Sequence, residues 1–196
     1  MKFALLLLCS VVVAIVLMPA TVAAQRDYFT AEEVELIRDT QKIDDRINVL
    51  TKIIDRRFEA LKIDVRGAKI SSKESDKWGV LPESTRFQLL LDIKRVLQKA
   101  IDDIDGLSER PDSAILPDPE DKKAKQSFAD LFPKAVRSLA AAAQRYQPAL
   151  KAELDKPNAS SEKGSVLDSL EFCDQIIAAV AKLPAEVVTT KKKDKN

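Results

Sequence analysis

Histidine does not occur in this chain of 196 residues, while cysteine and methionine occur twice each, tryptophan once and glycine four times. Each shortage excludes a chemistry. Without histidine there is no Ser-His or Cys-His pair to activate a nucleophile, no Glu-x-x-His ligand set for a di-iron bundle, and no CxxCH attachment motif for haem. Zinc sites draw on histidine or several cysteines, and neither supply exists here. Glycine is confined to Gly67, Gly79, Gly106 and Gly164, and each reads as punctuation between helical segments.

The chain opens with Lys2, an uncharged apolar run over residues 3–18, the breaker Pro19 and then small residues as far as Ala24, ahead of the polar Gln25-Arg26-Asp27. That order predicts a signal peptide over residues 1–24, with Val22 and Ala24 where a peptidase reads small side chains. An uncleaved anchor is the competing reading, because residues 3–24 approach the roughly 20 apolar residues that span a bilayer. The expected location is outside the cytoplasm, periplasmic or extracellular. Cleavage removes Lys2, so the 32 basic residues fall to 31 and equal the 31 acidic ones. No net field then steers the chain to nucleic acid. Cys9 and both methionines are lost as well, and the single remaining thiol, Cys173, cannot form an internal disulfide.

What remains is periodic. Thr30 with Glu33 spells a capping box, and Tyr28-Phe29 before it can staple onto the first turns. Leu36, Thr40, Ile43, Ile47, Leu50, Ile54, Phe58, Leu61 and Val65 then share one stripe, which predicts a single helix over residues 31–65. A second helix is expected from Pro82 or Glu83 to Gly106. A third is expected from Asp118-Pro119 to about Leu150, with a break or kink at Pro133 and a weaker bend at Pro148. After a turn at 156–161, a fourth helix carries Val166, Leu170, Cys173 and Ile177 and ends at Pro184. No segment reads as a strand. The expectation is an all-α, antiparallel four-helix bundle over residues 25–185, its third helix broken or kinked at Pro133, followed by a disordered lysine-rich tail at 186–196. Long connections leave a crossover arrangement open.

Charged motifs are the remaining candidates. Ile43-Asp44-Asp45-Arg46-Ile47 returns eleven residues later as Ile54-Asp55-Arg56-Arg57-Phe58, three helical turns plus about 20°. The acids are spread around the helix, so they do not form a catalytic dyad. Salt-bridged helix surface is the plain reading, and the sharper one is a partner-binding ridge of Arg46, Arg56 and Arg57, with Arg56 the most exposed. Asp102, Asp103 and Asp105 precede Gly106 like part of a calcium loop, but Ile101 stands at its first ligand position, so no metal is expected. Trp78 is expected to anchor a loop on the bundle. Asn158-Ala159-Ser160 is a glycosylation sequon in a eukaryotic route. Arg57, Lys94 and Asp174 spoil the apolar faces of three helices, which predicts an inward polar cluster in which at least two of them meet.

The functional expectation is an exported, non-enzymatic bundle with a binding, scaffolding or structural role and no cofactor. A small-ligand-binding bundle is the alternative, and a carboxylate- or lysine-dependent enzyme the third reading. The expected partner is a protein or an envelope component, with a membrane only if the signal segment is retained and no nucleic acid.

Overall fold

A computed structural model of the protein describes residues 27–67, 69–71, 73–110, 128–156 and 160–184. The signal segment, the Asp118-Pro119 helix start, Asn158-Ala159 of the sequon and the lysine-rich tail lie outside the described residues. Within them the chain is all-helical: α1 Ala31–Asp39, α2 Ile43–Ala60, α3 Ser75–Trp78, α4 Arg86–Glu109, α5 Phe128–Leu154 and α6 Ser160–Ala179, which runs into a short 3-10 turn, Val180–Lys182.

The single helix expected over 31–65 is two. Its break at Thr40 is chemically satisfied, because the Thr40 hydroxyl donates to the Leu36 carbonyl at 2.7 Å and Arg46 Nε donates to the Thr40 carbonyl at 3.0 Å. Thr40 itself is extended, φ −101° and ψ 102°. The apolar stripe passes through the break in register, so periodicity alone could not reveal it. α2 also stops early, at Ala60, where Lys62 at φ 60° turns the chain. Lys62 and Ile63 N–H groups close onto the Glu59 and Phe58 carbonyls, each at 2.9 Å, the bond pattern of a Schellman cap.

Around one apolar core, α2 packs against α4 and α5, and α6 packs against the same two helices. Side-chain pairs fix the directions. Asp44 meets Lys134, Asn48 meets Ser138 and Asp55 meets Arg145, so α2 and α5 run parallel. Arg86 meets Glu162 and Lys94 meets Asp168, so α4 and α6 are parallel too. Gln147 reaches Asp174 and Arg137 reaches the Pro184 carbonyl, which makes α5 and α6 antiparallel. Successive helices therefore alternate in direction, while neighbours in space include two parallel pairs, and α4 hands the chain to a helix it scarcely touches. Neighbours of both senses fit the crossover arrangement that the long connections leave open. The 18 residues that separate Glu109 from Phe128 are ample for such a connection.

Two glycines depart from their expected role. Gly106 and Gly164 lie inside α4 and α6 rather than between helices, in places where an added Cβ would meet nothing within 4 Å. Each costs its helix about 1 kcal/mol relative to alanine without breaking it. α4 begins one turn later than Pro82, at a second capping box formed by Thr85 and Gln88. α5 stays helical through both Pro133 and Pro148, so the chain does not break at Pro133.

Candidate functional site

The most elaborate side-chain arrangement lies where α1 folds back on α2. Glu33, Arg57, Asp92 and Arg56 are 0%, 1%, 1% and 4% exposed, a burial that charged residues tolerate only when paired. Arg57 grips Glu33 with both terminal nitrogens, Nη1 to Oε1 at 2.7 Å and Nη2 to Oε2 at 2.6 Å. Its Nε faces Asp92 Oδ2 at 3.7 Å, and Nη2 also donates to the Tyr28 carbonyl at 2.8 Å. Arg56 adds Nε to Glu33 Oε1 at 3.3 Å and donates to the Val80 carbonyl at 2.6 Å. Its guanidinium lies 5.6 Å from the centre of the Trp78 ring. Gly79, at φ 62°, turns the backbone that presents the Val80 carbonyl, and a Cβ there would come within 2.9 Å of Glu32.

Glu33 thus does two jobs. Its carboxylate closes the capping box by accepting the Thr30 N–H at 3.0 Å, and the same oxygens neutralise two arginines. Two acids and two bases leave the group formally neutral. The arrangement can fasten the 27–39 strap and the 75–80 segment to α2, and no oxygen or nitrogen of it is presented to a substrate.

This overturns the arginine ridge. Arg56, expected to be its most exposed member, is 4% exposed, Arg57 is buried, and Arg46 is half-buried on the Thr40 carbonyl. Arg56 and Arg57 are covered by α1 and by the Trp78–Val80 segment, which one straight helix would leave in solvent. Of the expected inward cluster of Arg57, Lys94 and Asp174, no two pair with each other. Arg57 pairs with Glu33 and Asp92, Lys94 pairs with Asp168 at 2.6 Å, and the exposed Asp174 accepts from Gln147. Arg57 is inward, as its place on the apolar face predicts. Its partner Glu33 lay hidden behind a capping signature that already explained it. Trp78 is 4% exposed, as expected of a loop anchor.

A second buried group joins α2 to α5. The Tyr146 hydroxyl lies 2.9 Å from Asp55 Oδ1 and 3.1 Å from the Thr51 carbonyl, and Arg145 Nη1 reaches Asp55 Oδ1 at 3.3 Å and the Val65 carbonyl at 3.1 Å. Burial, reinforced by the Asp55 charge, lifts the Tyr146 phenol well above its ordinary range, so it stays protonated. Gly67 packs directly against this group, since a Cβ there would fall 2.4 Å from the Asp55 carboxyl. A third group ties α4 to α5 and α6 through Arg86, Glu153 and Glu162. Burial alone would raise Glu153, but its bonds to Lys156 and Arg86 outweigh that and hold it below the usual carboxylate range.

Among the described residues no set of three or more acids or cysteines is arranged to hold a metal, and Asp102 and Asp103 instead accept from Gln98 and Lys99. Burial pushes the Cys173 thiol up to about 12, with the Asp174 charge adding to it, so no thiolate forms near neutrality. No described helix is long and apolar enough to cross a membrane. Concavities of about 390 and 590 Å³ adjoin Asp55 and Glu153, and a smaller apolar one lies at the end where α4 and α6 finish and α5 begins. Ile101, Ile104, Phe132, Val136, Leu139 and Ile176 wall a cleft of about 230 Å³. No family model matches this chain, and no match is found among curated proteins or solved structures.

Proposed function

We propose that this protein is exported, has no catalytic activity of its own and works by binding. The observation that carries the reading is a contrast in how side chains are used. Every described buried charged residue belongs to an ion pair that ties one element to another, whereas the apolar cleft between α4, α5 and α6 is left open. A general acid or base must reach a substrate proton, and groups locked into interior pairs are poorly placed for that. Concave, largely apolar surfaces are where proteins take ligands and partner segments. The segment over residues 1–24 supports export, and an envelope component or a protein is the kind of partner that location offers.

The four long helices are best read as a four-helix bundle with one crossover, antiparallel along the chain. α5 is proposed to bend at Pro133, which has no N–H for the Ala129 carbonyl and presses its ring on that turn. Residual dipolar couplings that describe one straight axis over residues 128–154 would remove the bend.

Chromogenic esters, phosphate esters and glycosides should show no turnover. Turnover abolished by Asp55→Asn or Tyr146→Phe would replace this reading with a carboxylate enzyme. Compounds that bind the folded chain should raise its thermal midpoint by mass action, and a broad panel of apolar and amphiphilic compounds should contain such a class. Intact-mass measurement should find a product that starts at Gln25. A product that retains residues 1–24 and partitions with membranes would replace export by anchoring.

A further inference from the structure

We infer that the cleft between α4, α5 and α6 is a site for a small neutral amphiphile, an alkyl or aryl body carrying one uncharged hydrogen-bonding head. The inference rests on the binding reading and adds the ligand's chemistry. Its size comes from the volume of about 230 Å³. An apolar cavity of about 150 Å³ stays dry and accepts benzene. This cleft is larger, with room for about eight carbon-sized groups at roughly 30 Å³ each, the share a water takes in the liquid. Its walls are Ile, Leu, Val and Phe side chains from three helices, with no charge among them.

The head is decided at the rim. Polar lining is limited to Asp105 from α4, Gln175 from α6 and Lys182 from the 3-10 turn. Neither Asp105 nor Lys182 enters an ion pair among the described residues. One acid and one base stand at the same mouth without neutralising each other. A carboxylate head would meet Asp105, and an ammonium head would meet Lys182, so either gains one attraction and suffers one repulsion while also losing hydration. A hydroxyl or amide avoids both conflicts: it donates to Asp105, accepts from Lys182, and can do either with Gln175. Lys182 can lay its stem along the apolar wall and bring its amine to the head.

Octan-1-ol, octanoate and octylamine share a body and differ only in the head, so calorimetric titration of the protein with each at pH 7 tests the inference. The alcohol should bind most tightly, by about fivefold, the scale of a single exposed charge pair. Ala179→Leu, which fills the cleft from its wall, should abolish binding of all three and leave the circular dichroism spectrum unchanged. Asp105→Asn should shift preference toward octanoate, and Lys182→Gln toward octylamine, each by about three- to fivefold. Equal affinities for the three heads, unmoved by the two rim variants, would overturn the assignment of the rim. No binding, or undiminished binding in Ala179→Leu, would overturn the cleft as the site and leave the broader binding reading to its own panel and turnover tests. Tighter octan-1-ol binding after Val187→Asp with Val188→Asp would make the C-terminal segment the native occupant and overturn the small-molecule assignment.

Discussion

The outer face of α2 and the α4–α5–α6 end of the molecule use opposite materials. Over α2, four buried charged residues and the Trp78 ring fasten two short segments to the core, and little is left for solvent. At the other end, hydrocarbon from three helices forms walls and remains open, with charge only at the rim. Charge closes the α2 face under α1, and hydrocarbon opens the α4–α5–α6 end. The distinction matters for function, because the conspicuous repeated arginine motif belongs to the closed region and the unremarkable leucine and isoleucine spacing makes the open one.

The comparison breaks first, and most heavily, at Glu33. Glu33→Ala strands Arg57 and Arg56 inside, and should cost about 3–5 kcal/mol in urea unfolding, the range for removing one partner of a buried pair. Glu33→Leu with Arg57→Met should recover part of that loss. A cost below about 1 kcal/mol for Glu33→Ala, the level of an exposed pair, would mean the strap is not fastened as described.

The apolar half of the comparison is sharpened by two isoleucines. Ile54 is fully buried and Ile104 is 8% exposed on the cleft wall. Ile54→Ala should fall within the usual range of about 2–5 kcal/mol, because it leaves a closed void. Ile104→Ala should cost about 2 kcal/mol or less, since the space it frees joins an opening that already exists. Equal costs would mean the cleft is closed in solution.

Glu153 extends the ion pairing to the α4–α5 contact with a smaller effect. Its folded pKa is depressed, so its stabilisation is present above the unfolded value of about 4.3 and is lost as pH falls through the lower folded value. Thermal midpoints of the wild type should drop over that acid window, and Glu153→Gln should show a shallower drop. Parallel acid limbs in the two proteins would remove Glu153 from the account.

Much of this was legible in the sequence, and the rest failed for physical reasons. The helical class followed from the 3.6-residue spacing, and the Thr30–Glu33 cap from its motif. The break at Thr40 did not, because the stripe continues across it and the compensation comes from Thr40 and Arg46 contacts that only the fold creates. Periodicity also says which face of a helix is apolar, without saying which helix meets it. Hence the spacing predicts Arg57 as inward, but not that its partner stands on the strap. Gly106 shows the limit of punctuation: its helix simply continues to Glu109.

The smallest effect at neutral pH is expected at Cys173, which tests whether the core beside the cleft is as tightly closed as the α2 face. The side chain is fully buried, and its thiol is pushed up to about 12. A raised folded pKa means the stabilisation is complete below the unfolded value of about 8.5 and is lost as pH rises from there toward the folded one. Wild-type stability should therefore be flat from pH 7 to 8 and decline above about 8.5, as the unfolded thiol ionises and the folded one does not. Cys173→Ala should cost only about 1 kcal/mol at pH 7, the scale of one buried methylene-sized group, and should lose this part of the alkaline decline. Iodoacetamide supplies the kinetic counterpart, because the thiolate is the reactive form. Native protein at pH 8 should stay unmodified while the urea-unfolded chain reacts. Rapid labelling of the native protein would show that the core opens near α6, and would place the open region deeper than the cleft.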